Sequence, residues 1–134
     1  MANKFLVFIE QRNGLVKKSS LEAAKAAAGL SAKHSGSVEA VTVGNEIEGL
    51  EKVGAYGVGK VTHFKNSDLA NYSPSAYTEL ISKFANENGF DILFFGATSM
   101  GKDLAPRVSV KIDAGLAMDC VALNSDGVDL IATR

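Results

Sequence analysis

Apolar residues run without interruption from Phe5 to Ile9, bounded by Lys4 and Glu10. Uninterrupted rather than alternating hydrophobicity predicts a strand buried on both faces, as in a parallel sheet. Residues 38–43 and 91–95 read as further strands, and 60–64 as a weaker one. The segment 91–95 is the most apolar of these and is expected near the middle of the sheet. Helical signals fall between the runs. Ser19 and Glu22 have capping-box spacing ahead of an alanine-rich segment, which predicts a helix over 20–33. Alanines carry so little bulk that this helix can lie close against a sheet. Gln11 to Gly14 reads as a turn, and a short helix is expected over 46–53. Ser73-Pro74 opens a helix whose apolar stripe is Tyr77, Leu80, Ile81 and Phe84, and Asn88-Gly89 ends it. A last helix is expected over 103–112, which keeps Pro106 in the first turn. Residues 118–123 and 128–133 read as two strands around an Asp126-Gly127 hairpin turn.

Strands thus alternate with helices and then give way to a hairpin. Alternation implies right-handed βαβ crossovers, so the expected fold is a three-layer Rossmann-like α/β domain. Its sheet is mostly parallel and ends in an antiparallel hairpin. The 134 residues suit one domain, with no internal repeat or linker. The final strand stops at Arg134 without a polar tail, so residues 1–134 read as a piece of a longer chain.

Composition narrows the functional classes. Fourteen Lys and Arg stand against fifteen Asp and Glu, a net charge of -1, so no basic surplus points to nucleic acid. The apolar runs are far shorter than the roughly 20 residues that span a bilayer. No signal-peptide core is present, and a soluble domain of the cytoplasm is expected. The single Cys120, with only His34 and His63, gives neither a disulfide framework nor a metal constellation. Cys120 sits in an apolar stretch and reads as a packed small hydrophobe. No nucleophile or acid–base pair stands out, which weighs against a hydrolase or transferase.

One loop carries candidate chemistry. Gly96 to Asp103 matches a phosphate-binding P-loop at Gly96, Gly101 and Lys102, between a strand and a helix. Glycine amides, a helix N-terminus and a lysine would all favour an anion. The eighth position fails, because Asp103 stands where Ser or Thr must reach magnesium. Nucleotide hydrolysis is therefore not expected. Open α/β sheets bind ligands beyond the carboxyl ends of their strands, which leaves Gly96, Thr98, Ser99, Gly101 and Lys102 as ligand-loop candidates. Arg107 follows Asp103 by four residues, the spacing of a helical ion pair. Gly54, Gly57 and Gly59 precede a strand rather than joining a strand to a helix, so they make no dinucleotide fingerprint.

Phe5 to Glu10, Asn13-Gly14, Lys17 to Ala23, the long stretch from Asp91 to Val108, Ala114 to Cys120 and Thr133-Arg134 together resemble the N-terminal domain of the electron transfer flavoprotein α subunit. The resemblance implies an electron carrier rather than an enzyme. It implies pairing with a β subunit and shuttling of electrons through FAD, from acyl-CoA or other dehydrogenases to a membrane quinone reductase. In that family the flavin is held mainly by a second domain, which lies outside these residues, so no FAD-binding residue and no metal site is assigned here. The domain is expected to be scaffold and subunit interface, with Asp103 and Arg107 fixing the helix start or reaching the partner. The alternative is a stand-alone adenine-nucleotide-binding domain that uses the Gly96–Lys102 loop.

Overall fold

The chain alternates strand and helix around one sheet, as a computed structural model shows for residues 4–33, 36–90, 92–96, 98–112, 115–118, 122–123 and 130–131. Strand β1 (Lys4–Ile9) is followed by a two-rung hairpin of β2 (Gln11–Arg12) and β3 (Leu15–Val16). Helix α1 (Lys18–Lys33), β4 (Ser37–Gly44), the single turn α2 (Glu51–Gly54) and β5 (Lys60–Lys65) come next. Then follow α3 (Pro74–Asn88), β6 (Ile92–Phe95), α4 (Ser99–Lys111) and β7 (Gly115–Met118). A short antiparallel pair, β8 (Ala122–Leu123) with β9 (Leu130–Ile131), closes the described chain.

The five-stranded sheet has the order β5-β4-β1-β6-β7 and is parallel throughout. The chain moves outward from β1 through β4 to β5, then crosses back to β6 and moves outward the other way. The order therefore reverses between β1 and β6. That reversal parts the connecting loops at the carboxyl ends of these two strands, where open α/β sheets hold ligands.

Both faces of β1 are covered, which explains its unbroken hydrophobicity. Leu6 and Phe8 face α3 and α4, packing with Tyr77, Ile81, Leu104 and Val108. Phe5, Val7 and Ile9 face α1, packing with Ala24, Ala27 and Phe94. The two alanines are fully buried, so the small-residue face of α1 does sit directly on the sheet. Aromatic edges stiffen both layers, with Phe5 against Phe94 and Phe8 against Tyr77.

Several boundaries differ from the sequence expectation. The capping box does not form: α1 begins at Lys18, Ser19 Oγ meets no partner among the described residues, and Ser20 Oγ instead accepts the Glu10 amide at 2.7 Å. Residues 46–50 are not helical, and α2 is only four residues long. Helix α4 begins at Ser99, not at 103, because Thr98 caps it by accepting the Gly101 amide at 3.0 Å. Pro106 consequently lies inside the helix, past the first turn. The expected antiparallel pair over 118–123 and 128–133 is present as the shorter β8 and β9, strand β7 is an additional one that joins the sheet in parallel, and the centre of the sheet is β1 rather than β6. The Asp126-Gly127 turn, His34 and Cys120 lie outside the described residues. His63 sits on β5, and its Nε2 has no hydrogen-bond partner among the described residues.

Candidate functional site

A cavity of about 360 Å³ opens at the reversal point, above the carboxyl ends of β1 and β6. Four segments build it. The end of β1 and the β2–β3 hairpin bring Glu10, Gln11 and Arg12, and the start of α1 brings Lys17. The loop before α3 brings Tyr72, and the entry to α4 brings Thr98 and Ser99.

Glu10 and Gln11 are buried, at 6% and 4% exposed. Buried polar side chains need partners, and both have them. The amide of Gln11 donates from Nε2 to the carbonyls of Ala70 at 3.1 Å and Val43 at 3.5 Å, and its Oε1 accepts the Gly14 amide at 3.0 Å. It therefore ties the end of β1 to β4, to the loop before α3 and to the hairpin turn. That turn uses left-handed backbone at Asn13 (φ 55°) and Gly14 (φ 80°), the geometry of a tight two-residue hairpin.

The Glu10 carboxylate takes a hydroxyl hydrogen bond from Thr98 at 2.5 Å. Its backbone is held on both sides: the amide donates to Ser20 Oγ, and the carbonyl accepts the Lys17 amide at 2.9 Å. Among the described residues no lysine or arginine forms an ion pair with this carboxylate. A buried acid thus faces the threonine that caps α4.

The glycine loop is shaped by packing. A Cβ at Gly101 would lie 2.0 Å from the Gly96 carbonyl oxygen, so the first turn of α4 rests directly on the strand exit. Gly96 in turn lies against Ser19, whose Cβ would be 3.5 Å from one built there. Of the ligand-loop candidates, Thr98 and Ser99 line the cavity, Gly96 and Gly101 lie buried behind it, and Lys102 is exposed outside the lining. The lysine that lines the cavity is Lys17.

Beside the cavity, Tyr72 donates from its hydroxyl to Asp103 Oδ2 at 2.6 Å, and Arg107 Nε lies 3.3 Å from both carboxylate oxygens of Asp103. Burial, then donation to the carboxylate, raises the Tyr72 hydroxyl above its ordinary pKa. The Tyr72 hydrogen bond, then Arg107, holds Asp103 below the usual carboxylate range. Asp103 therefore ties α4 to the loop before α3. Sequence reasoning placed Asp103 and Arg107 together but missed Glu10, Gln11, Lys17 and Tyr72. The available signal was position: Glu10 and Gln11 directly follow the longest apolar strand, at the end of the sheet where side chains converge.

The Glu10 carboxylate, buried and bonded to the Thr98 cap, sets a negative charge in the cavity, which does not favour an anionic dinucleotide such as FAD. Among the described residues no cluster of acids, histidines or cysteines could hold a metal, and no helix is long and apolar enough to cross a membrane.

Comparison with known proteins follows the same lines. The family model described as "Electron transfer flavoprotein domain" matches residues 5–134. The chain is 38% identical to Protein FixB of Clostridium saccharobutylicum and 37% identical to the electron transfer flavoprotein subunit alpha of Clostridium acetobutylicum. Each match covers 96% of this chain and 39% of the relative, so the chain spans well under half the length of these proteins. Among solved structures, a universal stress protein in complex with cAMP superposes with a TM-score of 0.57 at 16% identity. That match covers 87% of this chain and 94% of the other, and at this identity it shows a shared Rossmann-like fold alone.

Proposed function

The chain belongs to the electron transfer flavoprotein domain family, and on that footing we propose that residues 1–134 are the N-terminal domain of an α subunit that works as an electron carrier rather than as an enzyme. The observation that carries the proposal is the 37% identity to a subunit of that name across 96% of this chain. The domain's own contribution is scaffold and interface. Its sheet is covered on both faces, and its crevice is lined by its own polar side chains. A β subunit docks on the outside of this scaffold, and FAD sits in the part of the longer protein beyond these residues. FAD supplies the one- and two-electron chemistry, while the protein sets its position and potential. Dehydrogenases deliver the electrons, a quinone reductase takes them, and the complex works in the cytoplasm. The stand-alone nucleotide-binding reading is not favoured, since the relatives named above include an electron-transfer subunit and Lys102 lies outside the cavity lining.

Coexpression of the full-length protein with a β subunit tests this. A yellow heterodimer is expected, reducible by a dehydrogenase and its substrate. A folded, colourless full-length protein that ignores the β subunit would overturn the proposal.

A further inference from the structure

We infer that Asn13 is a self-modification site: the hairpin turn leaves its side chain free to react with the Gly14 nitrogen and become aspartate or isoaspartate, with Gln11 as the brake. Asn-Gly occurs twice in the sequence, at Asn13-Gly14 between β2 and β3 and at Asn88-Gly89 where α3 ends. Glycine has no side chain to shield its nitrogen, so both steps carry the chemistry. The fold treats them differently. Asn13 is exposed, and among the described residues its side-chain amide has no hydrogen-bond partner. Asn88 donates from Nδ2 to the Phe84 carbonyl at 2.9 Å, which holds its side chain back over the preceding helical turn. The Gly89 amide is also held, by the Ala85 carbonyl of α3. The Gly14 amide donates to a side chain, Gln11 Oε1, at 3.0 Å. The turn in turn demands its glycine: φ at Gly14 is 80°, and a Cβ there would lie 2.7 Å from the Glu46 carbonyl oxygen.

The reaction needs only water. The Gly14 nitrogen gives its proton to hydroxide and bonds to the side-chain carbonyl carbon of Asn13, Cγ. The Cγ–Nδ2 bond breaks, and Nδ2 takes a proton from water and leaves as ammonia. Water then opens the cyclic imide at either carbonyl, giving aspartate or isoaspartate. The reacting atoms belong to adjacent residues, so freedom of the side chain to reach the nitrogen decides the rate. Gln11 Oε1 opposes the step, because the proton it accepts is the one that must leave. Either product puts a negative charge next to Arg12 on the cavity lining. Isoaspartate also routes the main chain through Cγ, which lengthens the turn by a methylene. The Gly14 amide bond to Gln11 and the Gly14 carbonyl bond to the Glu48 amide, at 2.7 Å, then lose their register. The chemistry belongs to the turn and does not depend on the electron-carrier proposal.

The test incubates the full-length protein, in its natural complex, in mildly alkaline buffer and follows both sites by peptide mapping and isoaspartate-specific methylation. Asn13 is expected to convert about tenfold faster than Asn88. In denaturing urea the two rates should come together, because both dipeptides are then free. Equal rates in the folded protein, or faster conversion at Asn88, would overturn the inference. So would a tenfold ratio that persists in urea, since flanking residues and not the turn would then set it. Gln11→Leu removes the acceptor and should speed conversion at Asn13 about threefold while leaving Asn88 unchanged. Asn88 in the same molecule reports any general loosening of the fold. An unchanged rate at Asn13, or equal acceleration at both sites, would overturn the braking role of Gln11.

Discussion

Residues 5–9 and residues 10–11 continue one another along the same line of chain, and both segments are buried, but for opposite reasons. Phe5 to Ile9 are covered because apolar surface leaves water on both faces of the sheet. Glu10 and Gln11 are covered because specific donors and acceptors converge on them: Thr98, Ser20, Gly14 and Ala70. The apolar segment tolerates any packing partner of the right volume. The polar segment tolerates only partners at the right distance and angle. Strand body and strand end therefore obey different rules within one residue of each other.

Four substitutions separate the two rules, from the largest expected effect to the smallest. Phe94→Ala removes a fully buried ring that packs edge-on against Phe5, and it should cost about 3–5 kcal/mol in a denaturant melt. A loss under 1 kcal/mol would mean that the α1 face of the sheet repacks freely. Gly101→Ala drives a methyl into the Gly96 carbonyl and should cost about 3 kcal/mol, the upper end of overpacking. If Gly101→Ala instead leaves the unfolding midpoint in place, the close approach of α4 to the strand exit is not real. Gln11→Leu keeps the volume but strands the Gly14 amide and the Ala70 carbonyl, for about 1–3 kcal/mol. A neutral result there would show that the strand end follows the same permissive rule as its body. Asp103→Asn should have the smallest effect of the four on the unfolding midpoint, because the Asp103–Arg107 pair is half exposed and screened by solvent.

The Asp103 substitution also carries a pH signature. Asp103 is held below its ordinary value, so its folded form binds a proton less readily than its unfolded form. Its contribution is therefore present above the unfolded value of about 3.9 and is lost as pH falls through the lower folded value. Melts of wild type and Asp103→Asn should differ near neutrality and converge in acid. A gap that widens on acidification would contradict the sign.

The same division explains what could be read from the residues alone. The apolar runs gave β1, β4 and β6, the alanine face of α1 and the Tyr77–Ile81 stripe of α3, because burial by the hydrophobic effect leaves a periodic trace. Helix ends were less legible. Ser19 and Ser20 are chemically alike, and only the approach of the Glu10 amide decides that Ser20 is the one used. Asp103 drew attention as a helix start, yet the cap is Thr98, five residues earlier in the chain. Pro106 argued for a later start, and tertiary packing of Leu104, Ala105 and Val108 overrode it. The crevice was least legible. Lys102 holds the lysine position of a P-loop and Lys17 matches no such motif, yet the adjacency of β1 and β6 brings Lys17 to the cavity lining while Lys102 stays outside.

The most direct measurement of the proposed role is the flavin absorbance of residues 1–134 after copurification with a β subunit, compared with the full-length protein treated alike. Residues 1–134 should carry no flavin of their own, and the full-length pair should carry it in stoichiometric amount. Stoichiometric flavin on residues 1–134 alone would contradict the assignment of this domain as a scaffold whose cofactor lies elsewhere.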